Sequence, residues 1–148
     1  MKKLILIIAS SVAFNLAAES QSEILDQMVS GVGPENYCAG QSVTNIRCSA
    51  FSHHRQLRRF TADSAVDVGS GVFSGCSRLE YLSLKSVTDV SKFSGMFAAC
   101  MSLSEVHLES IEFSDRLRSF GFPWGVPVDS VRFYFSNGVY NRKGEKVD

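Results

Sequence analysis

The chain has 148 residues, 45% of them apolar and 20% charged, which fits one domain able to bury a core. Lys plus Arg and Asp plus Glu both total 15, so there is no basic footprint for nucleic acid or for an anionic membrane surface, and partners of those kinds are disfavoured.

The opening stretch MKKLILIIASSVAFNLAAES has two lysines, an apolar run from Leu4 to Ile8 continuing loosely to Ala18, and small residues near Ala17 to Ser20. It reads as a signal peptide over 1–18. Cleavage is placed after Ala18, with the position after Ser20 as the alternative, and no cysteine stands there for lipid attachment. Loss of Lys2 and Lys3 leaves 13 basic against 15 acidic residues, a mature charge of −2. A secreted, periplasmic or cell-surface location is expected. No later run reaches the roughly 18 apolar residues a membrane span needs, so none is expected in the mature chain.

Residues 19–41 are expected to form an N-terminal helical cap. Ser20 and Glu23 have capping-box spacing, Ile24, Leu25 and Met28 form an apolar stripe, and Gly31 is a natural stop. Cys38 follows, ten residues before Cys48. A disulfide between them would close a short loop, and two unpaired thiols are the equal alternative.

Residues 42–119 repeat. Phe73, Cys76, Leu79, Leu82, Leu84 and Val87 recur as Phe97, Cys100, Leu103, Val106, Leu108 and Ile111, each pair separated by 24. One turn earlier the separation is 22: Phe51, Leu57, Phe60 and Ala62 precede Phe73, Leu79, Leu82 and Leu84, and SVTNI from Ser42 precedes SAVDV from Ser64. Two extra residues near Lys92 and Phe93 account for the change and are expected in a surface loop. A looser fourth turn sets Val128, Val131 and Phe133 at 25.

Leu-x-x-Leu-x-Leu at this period is a leucine-rich repeat signature. The expected fold is a leucine-rich repeat solenoid: a short parallel sheet of about four strands, turns and short helical pieces on the convex side, an N-terminal capping helix and a C-terminal capping hairpin. Phe60, Leu82, Val106 and Val131 should then form one core column. On the outer face the columns are Arg59, Tyr81, Glu105, Ser130 and Thr61, Ser83, His107, Arg132, with Asp63, Lys85 and Glu109 as neighbours of alternating charge.

Phe-x-x-Cys-x-x-Leu-x-x-Leu-x-Leu, preceded by Val-Thr-Asp-Val, resembles the BspA-like (Treponema pallidum type) leucine-rich repeats of bacterial surface and secreted proteins. The resemblance runs from Ser42 to Ile111, with His54 where the first turn would carry Cys. It implies a right-handed solenoid and an extracellular interaction role, adhesion included.

Residues 120–148 break the pattern at Pro123, Gly125 and Pro127, and Asn137-Gly138 signals a hairpin. Phe120, Phe122, Trp124, Phe133 and Phe135 are expected to close the open end of the core; a carbohydrate-stacking platform is the other reading.

Chemistry-bearing patterns are sparse. Cys76 and Cys100 share a ladder position and are expected as buried free thiols rather than a disulfide, although their stacking also suits a bond. Cys48, His53 and His54 lack the paired spacing of a zinc site, and neither a nucleophile elbow nor a phosphate loop is present. No cofactor or metal is called for. The expected function is a non-enzymatic binding module, monomeric, meeting a protein or glycan partner at the cell surface or in host matrix through Arg59, Thr61, Tyr81, Ser83, Glu105, His107 and Arg132. An orphan structural array without a strong ligand is the alternative, and a thiol-based or hydrolytic enzyme the remote one.

Overall fold

A computed structural model of the chain describes residues 14–16, 35–39 and 43–148. The helix expected between Ser20 and Gly31 lies outside these residues, as does most of the expected signal peptide.

The elements are strands β1 (Phe14–Leu16), β2 (Asn36–Ala39), β3 (Asn45–Ile46), β4 (Arg59–Thr61), β5 (Asp67–Val68), β6 (Tyr81–Ser83) and β7 (Glu105–Leu108), helix α1 (Arg116–Ser119), and strands β8 (Arg132–Phe135) and β9 (Gly138–Tyr140). One sheet runs β1-β2-β4-β6-β7-β8-β9, parallel throughout except for the last pair. A second, two-stranded parallel sheet pairs β3 with β5. The architecture is a parallel-strand β-solenoid of about four turns with little helix.

Strands of three or four residues are too short to be stable alone, and each offers only one or two side chains to the interior. Stacking supplies the rest. Tyr37, Phe60, Leu82, Val106 and Phe133 align in register as one inward column. All five are buried, Leu82, Val106 and Phe133 completely. A second column begins with Phe51, Phe73 and Phe97, whose rings lie 5.8 and 6.3 Å apart, nearly parallel at 7° and 13°. Phe60 wedges edge-on between the first two at 4.7 and 4.8 Å. Each such burial is worth about 1.5 to 3 kcal/mol.

The sequence expectation is corrected at three points. The parallel part of the main sheet has six strands instead of about four, the seventh strand, β9, belonging to the expected hairpin. The additional strands are β1 and β2, which precede the repeats, β2 lying after the Gly31 at which the expected helix stops. In the fourth turn Val106 pairs with Phe133, an offset of 27, and not with Val131 at 25. The two-residue slip preserves facing, so Val131 is still fully buried, but every outward neighbour on β8 changes. Phe93 is no surface insertion: it is fully buried and meets Trp124 edge-on at 5.2 Å. The hairpin expected from Asn137-Gly138 is present, its loop being Ser136 and Asn137, with Gly138 opening β9 opposite Phe135 at a φ of 139°. That left-handed backbone suits a residue without Cβ.

Serine hydroxyls fasten one turn to the next. Ser52 donates to the Ser74 carbonyl at 3.2 Å, Ser104 to Glu80 at 2.8 Å, Ser102 to Ser77 at 3.0 Å and Ser136 to Ile111 at 3.1 Å. Ser110 does the same to Val87. Buried thiols repeat the pattern, Cys76 donating to the Phe51 carbonyl at 3.0 Å and Cys100 to Phe73 at 3.1 Å.

His54 holds the position these cysteines hold, and it is fully buried. Its Nδ1 accepts the Leu57 N–H at 3.0 Å, so the ring proton sits on Nε2, which has no partner among the described residues. Burial holds the imidazole below its ordinary value, so it stays neutral in the fold. In the unfolded chain it takes up a proton near about 6.5. Stability is therefore complete above that value and is lost as the pH falls below it. The urea midpoint should drop between about pH 7.5 and about pH 5.5, and the drop should shrink in His54→Asn, a comparison made by urea unfolding at both values.

Candidate functional site

The outward columns of the main sheet are set by backbone register. Arg59, Tyr81, Glu105 and Arg132 form one, and Thr61, Ser83, His107 and Tyr134 the next. Arg132 therefore stands beside Glu105, one column from the place expected for it. Tyr134 takes the position next to His107, and it is a site residue the sequence reading missed.

Four of these side chains make a continuous stack across β4, β6, β7 and β8. The Arg59 guanidinium lies 4.2 Å from the centre of the Tyr81 ring. Tyr81 and His107 are tilted at 5.0 Å, and His107 lies flat on Tyr134 at 4.2 Å and 3°. Cation–π contact and ring stacking each contribute of the order of 0.5 to 1.5 kcal/mol.

His107 is flanked by a carboxylate on each side. Its Nδ1 meets Glu109 Oε1 at 3.1 Å and its Nε2 meets Glu105 Oε2 at 3.3 Å. Whichever nitrogen carries the proton donates to the carboxylate beside it. Lys85 pairs with Asp63 at 3.7 Å as the alternation of charges anticipates, whereas Glu109 meets His107 and not Lys85; Arg58 pairs with Glu80 at 2.7 Å across the same two turns. These exposed pairs add little to stability.

The predicted residues differ in availability. Arg59 and Arg132 are exposed, and Thr61, Tyr81, Glu105 and His107 are half-buried. Ser83 is only 1% exposed, and its hydroxyl donates to Asp63 Oδ1 at 2.5 Å. It shapes the floor of the face and offers a partner nothing.

The other candidates separate in space. All four cysteines are free. Cys38 is on β2, in register with Thr61, whereas Cys48 is exposed at a corner where Ser70 Oγ reaches its sulfur at 3.5 Å. Burial pushes the Cys76 and Cys100 thiols up to about 12, which removes them as nucleophiles. His54 is core while His53 is exposed at a corner. Among the described residues no group of three or more His, Cys, Asp and Glu converges as a metal site would require.

At the C-terminal end Trp124 and Phe133 are fully buried, and Phe122 and Phe135 nearly so. Phe122 meets Trp124 at 5.2 Å and Phe133 at 4.9 Å, both edge-on. Their faces are spent on one another, so this cluster closes the core and is no sugar platform. Phe120 is half-buried with the Arg116 guanidinium 5.4 Å above it.

Comparison with protein-family models, with curated proteins and with solved structures finds no match for this chain.

Thiol accessibility gives a direct check on the cysteines. The hydrogen bond from Ser70 lowers the Cys48 thiol, while Cys76 and Cys100 are shut away. Under native conditions a chromogenic disulfide reagent should label Cys48 first and leave Cys76 and Cys100 until urea is added. Ser70→Ala should slow the Cys48 reaction.

Proposed function

We propose that this chain is a secreted, non-enzymatic binding module of the leucine-rich repeat type, similar to BspA-like repeats, and that it meets a protein partner through the exposed face of its main sheet. The repeat assignment is supported by burial of each position in the Leu-x-x-Leu-x-Leu frame: Leu79, Leu82 and Leu84, then Leu103, Val106 and Leu108, are all fully buried. The opening stretch supports secretion.

The observation that carries the binding reading is the stack of Arg59, Tyr81, His107 and Tyr134 over four adjacent strands. Tyr and Arg are the residue types that dominate contact energies between proteins. Because they are locked against one another before any partner arrives, little side-chain entropy remains to be lost on contact. The same stacking favours a protein over a glycan. A sugar needs an open ring face, whereas here guanidinium, imidazole and phenol cover each other and present edges with hydroxyl, N–H and carboxylate groups.

The test is site-specific photo-crosslinking in the native secretory host. A crosslinker at Arg132 should give a discrete adduct, and one at Arg47, on a different corner, should not. Tyr134→Ala combined with Tyr81→Ala should abolish the adduct while the thermal midpoint stays above the temperature of the crosslinking. Equal adducts at both positions, or an adduct indifferent to the two tyrosines, would falsify the assignment.

A further inference from the structure

Away from the sheet face, three successive turns form a shallow groove of about 450 Å³ at one corner of the solenoid. It is lined by His53 and Arg55 from one turn, Ser74, Gly75 and Ser77 from the next, and Ala98, Ala99 and Met101 from the third. We infer that this groove binds a carboxylate carried on a short aliphatic chain.

The corner owes its shape to backbone conformation. His53, Gly75 and Ala99 occupy equivalent positions on the three turns, all left-handed, with φ of 61°, 79° and 61°. Their amides are used in the ladder where they meet the next turn: His53 N–H donates to the Ser74 carbonyl at 2.7 Å and Gly75 N–H to Ala98 at 2.7 Å. Gly75 makes room for the imidazole, since a Cβ there would come within 2.7 Å of His53 Nδ1.

Carbonyls along the groove are also occupied. Ser52 Oγ reaches the Ser74 carbonyl at 3.2 Å and Ser102 Oγ the Ser77 carbonyl at 3.0 Å. The lining therefore offers an incoming ligand chiefly donors, the Arg55 guanidinium and the hydroxyls of Ser74 and Ser77, while His53 Nδ1 is already met by Ser52 Oγ at 3.3 Å. No carboxylate lines the groove, and among the described residues none pairs with Arg55. Donors without an acid select an anion, and a planar guanidinium matches the paired oxygens of a carboxylate as it does those of a phosphate, so the phosphate control below decides between them.

The opposite wall sets the rest of the ligand. Ala98 and Ala99 are small, and Met101 is 62% exposed, among the most exposed large apolar side chains of the described residues. A thioether chain that is open to water beside a basic strip gains by covering an aliphatic tail. The volume is at the low end for small-ligand sites, which limits the tail to a few carbons.

Two sources carry this chemistry, a free short-chain fatty acid and the C-terminus of a peptide ending in an aliphatic residue. Backbone amide shifts of the full chain, followed during titration, distinguish them. Hexanoate and acetyl-Gly-Leu are the two probes, with hexanol and inorganic phosphate as controls lacking charge or tail. At least one probe should move the amides of His53, Gly75 and Ala99 below about 10 mM, and whichever binds tighter names the source. Arg55→Gln, at an exposed position, should weaken that probe by about tenfold. Met101→Ser should weaken it by about threefold without changing the phosphate response. Silence from both probes, hexanol or phosphate binding as tightly as hexanoate, or indifference to Arg55→Gln overturns the assignment.

Discussion

A turn of this solenoid cannot bury its own inward face. Its strand contributes Phe60, or Leu82, or Val106 with Leu108, and nothing within the same turn covers those side chains from above and below. Cover comes only from the neighbouring turns, at the spacing of about 4.8 Å set by the backbone ladder. Register is therefore the quantity on which everything else depends. It seats Phe60 between Phe51 and Phe73, sets serine hydroxyls opposite carbonyls of the next turn, and decides which side chains are neighbours on the outside. The stack from Arg59 to Tyr134 follows from the same register: with β8 displaced by two residues, Arg132 would lie against His107 and the stack would end one strand earlier.

Much of this register was legible in the sequence where the repeat is strict. The separation of 24 between Phe73 and Phe97, and between Leu82 and Val106, holds at six positions, and those residues align as the spacing requires. The separation of 22 likewise pairs Asn45 with Asp67 and Ile46 with Val68. Legibility ends where apolar residues occur at several same-facing positions. Val128, Val131 and Phe133 match the repeat at 25, and the true offset of 27 uses Phe133 and Phe135. A sharper signal was present. Phe51, Phe73 and Phe97 each precede two buried residues of their turn by 9 and 11 positions, and Trp124 stands at the same distances before Phe133 and Phe135. Spacing within a turn survives insertions that spacing between turns does not.

Other features had no sequence signal strong enough to read. Strand β2 offers a single fully inward residue, Tyr37, between Asn36 and Cys38, so neither leucines nor alternation announce it. Ser83 faces outward by parity yet is covered, because Asp63 on the preceding turn folds back onto its hydroxyl. The left-handed corners at Ser49, His53 and Ala99 carry side chains, and only their alignment with Gly71 and Gly75 reveals them. Each of these is a tertiary effect on residues whose local preferences point elsewhere.

The position of Tyr134 has a mechanical consequence. In a quasi-one-dimensional array the terminal turns open first, and β8 is the last parallel strand before the antiparallel β9. A partner lying along the stack from Arg59 to Tyr134 spans three strand spacings, roughly 14 Å, and would act as a splint across the end of the molecule. Grip on the face and closure of the C-terminal turn would then be one equilibrium: whatever frays the hairpin would loosen such a partner, and the partner would in turn oppose the fraying.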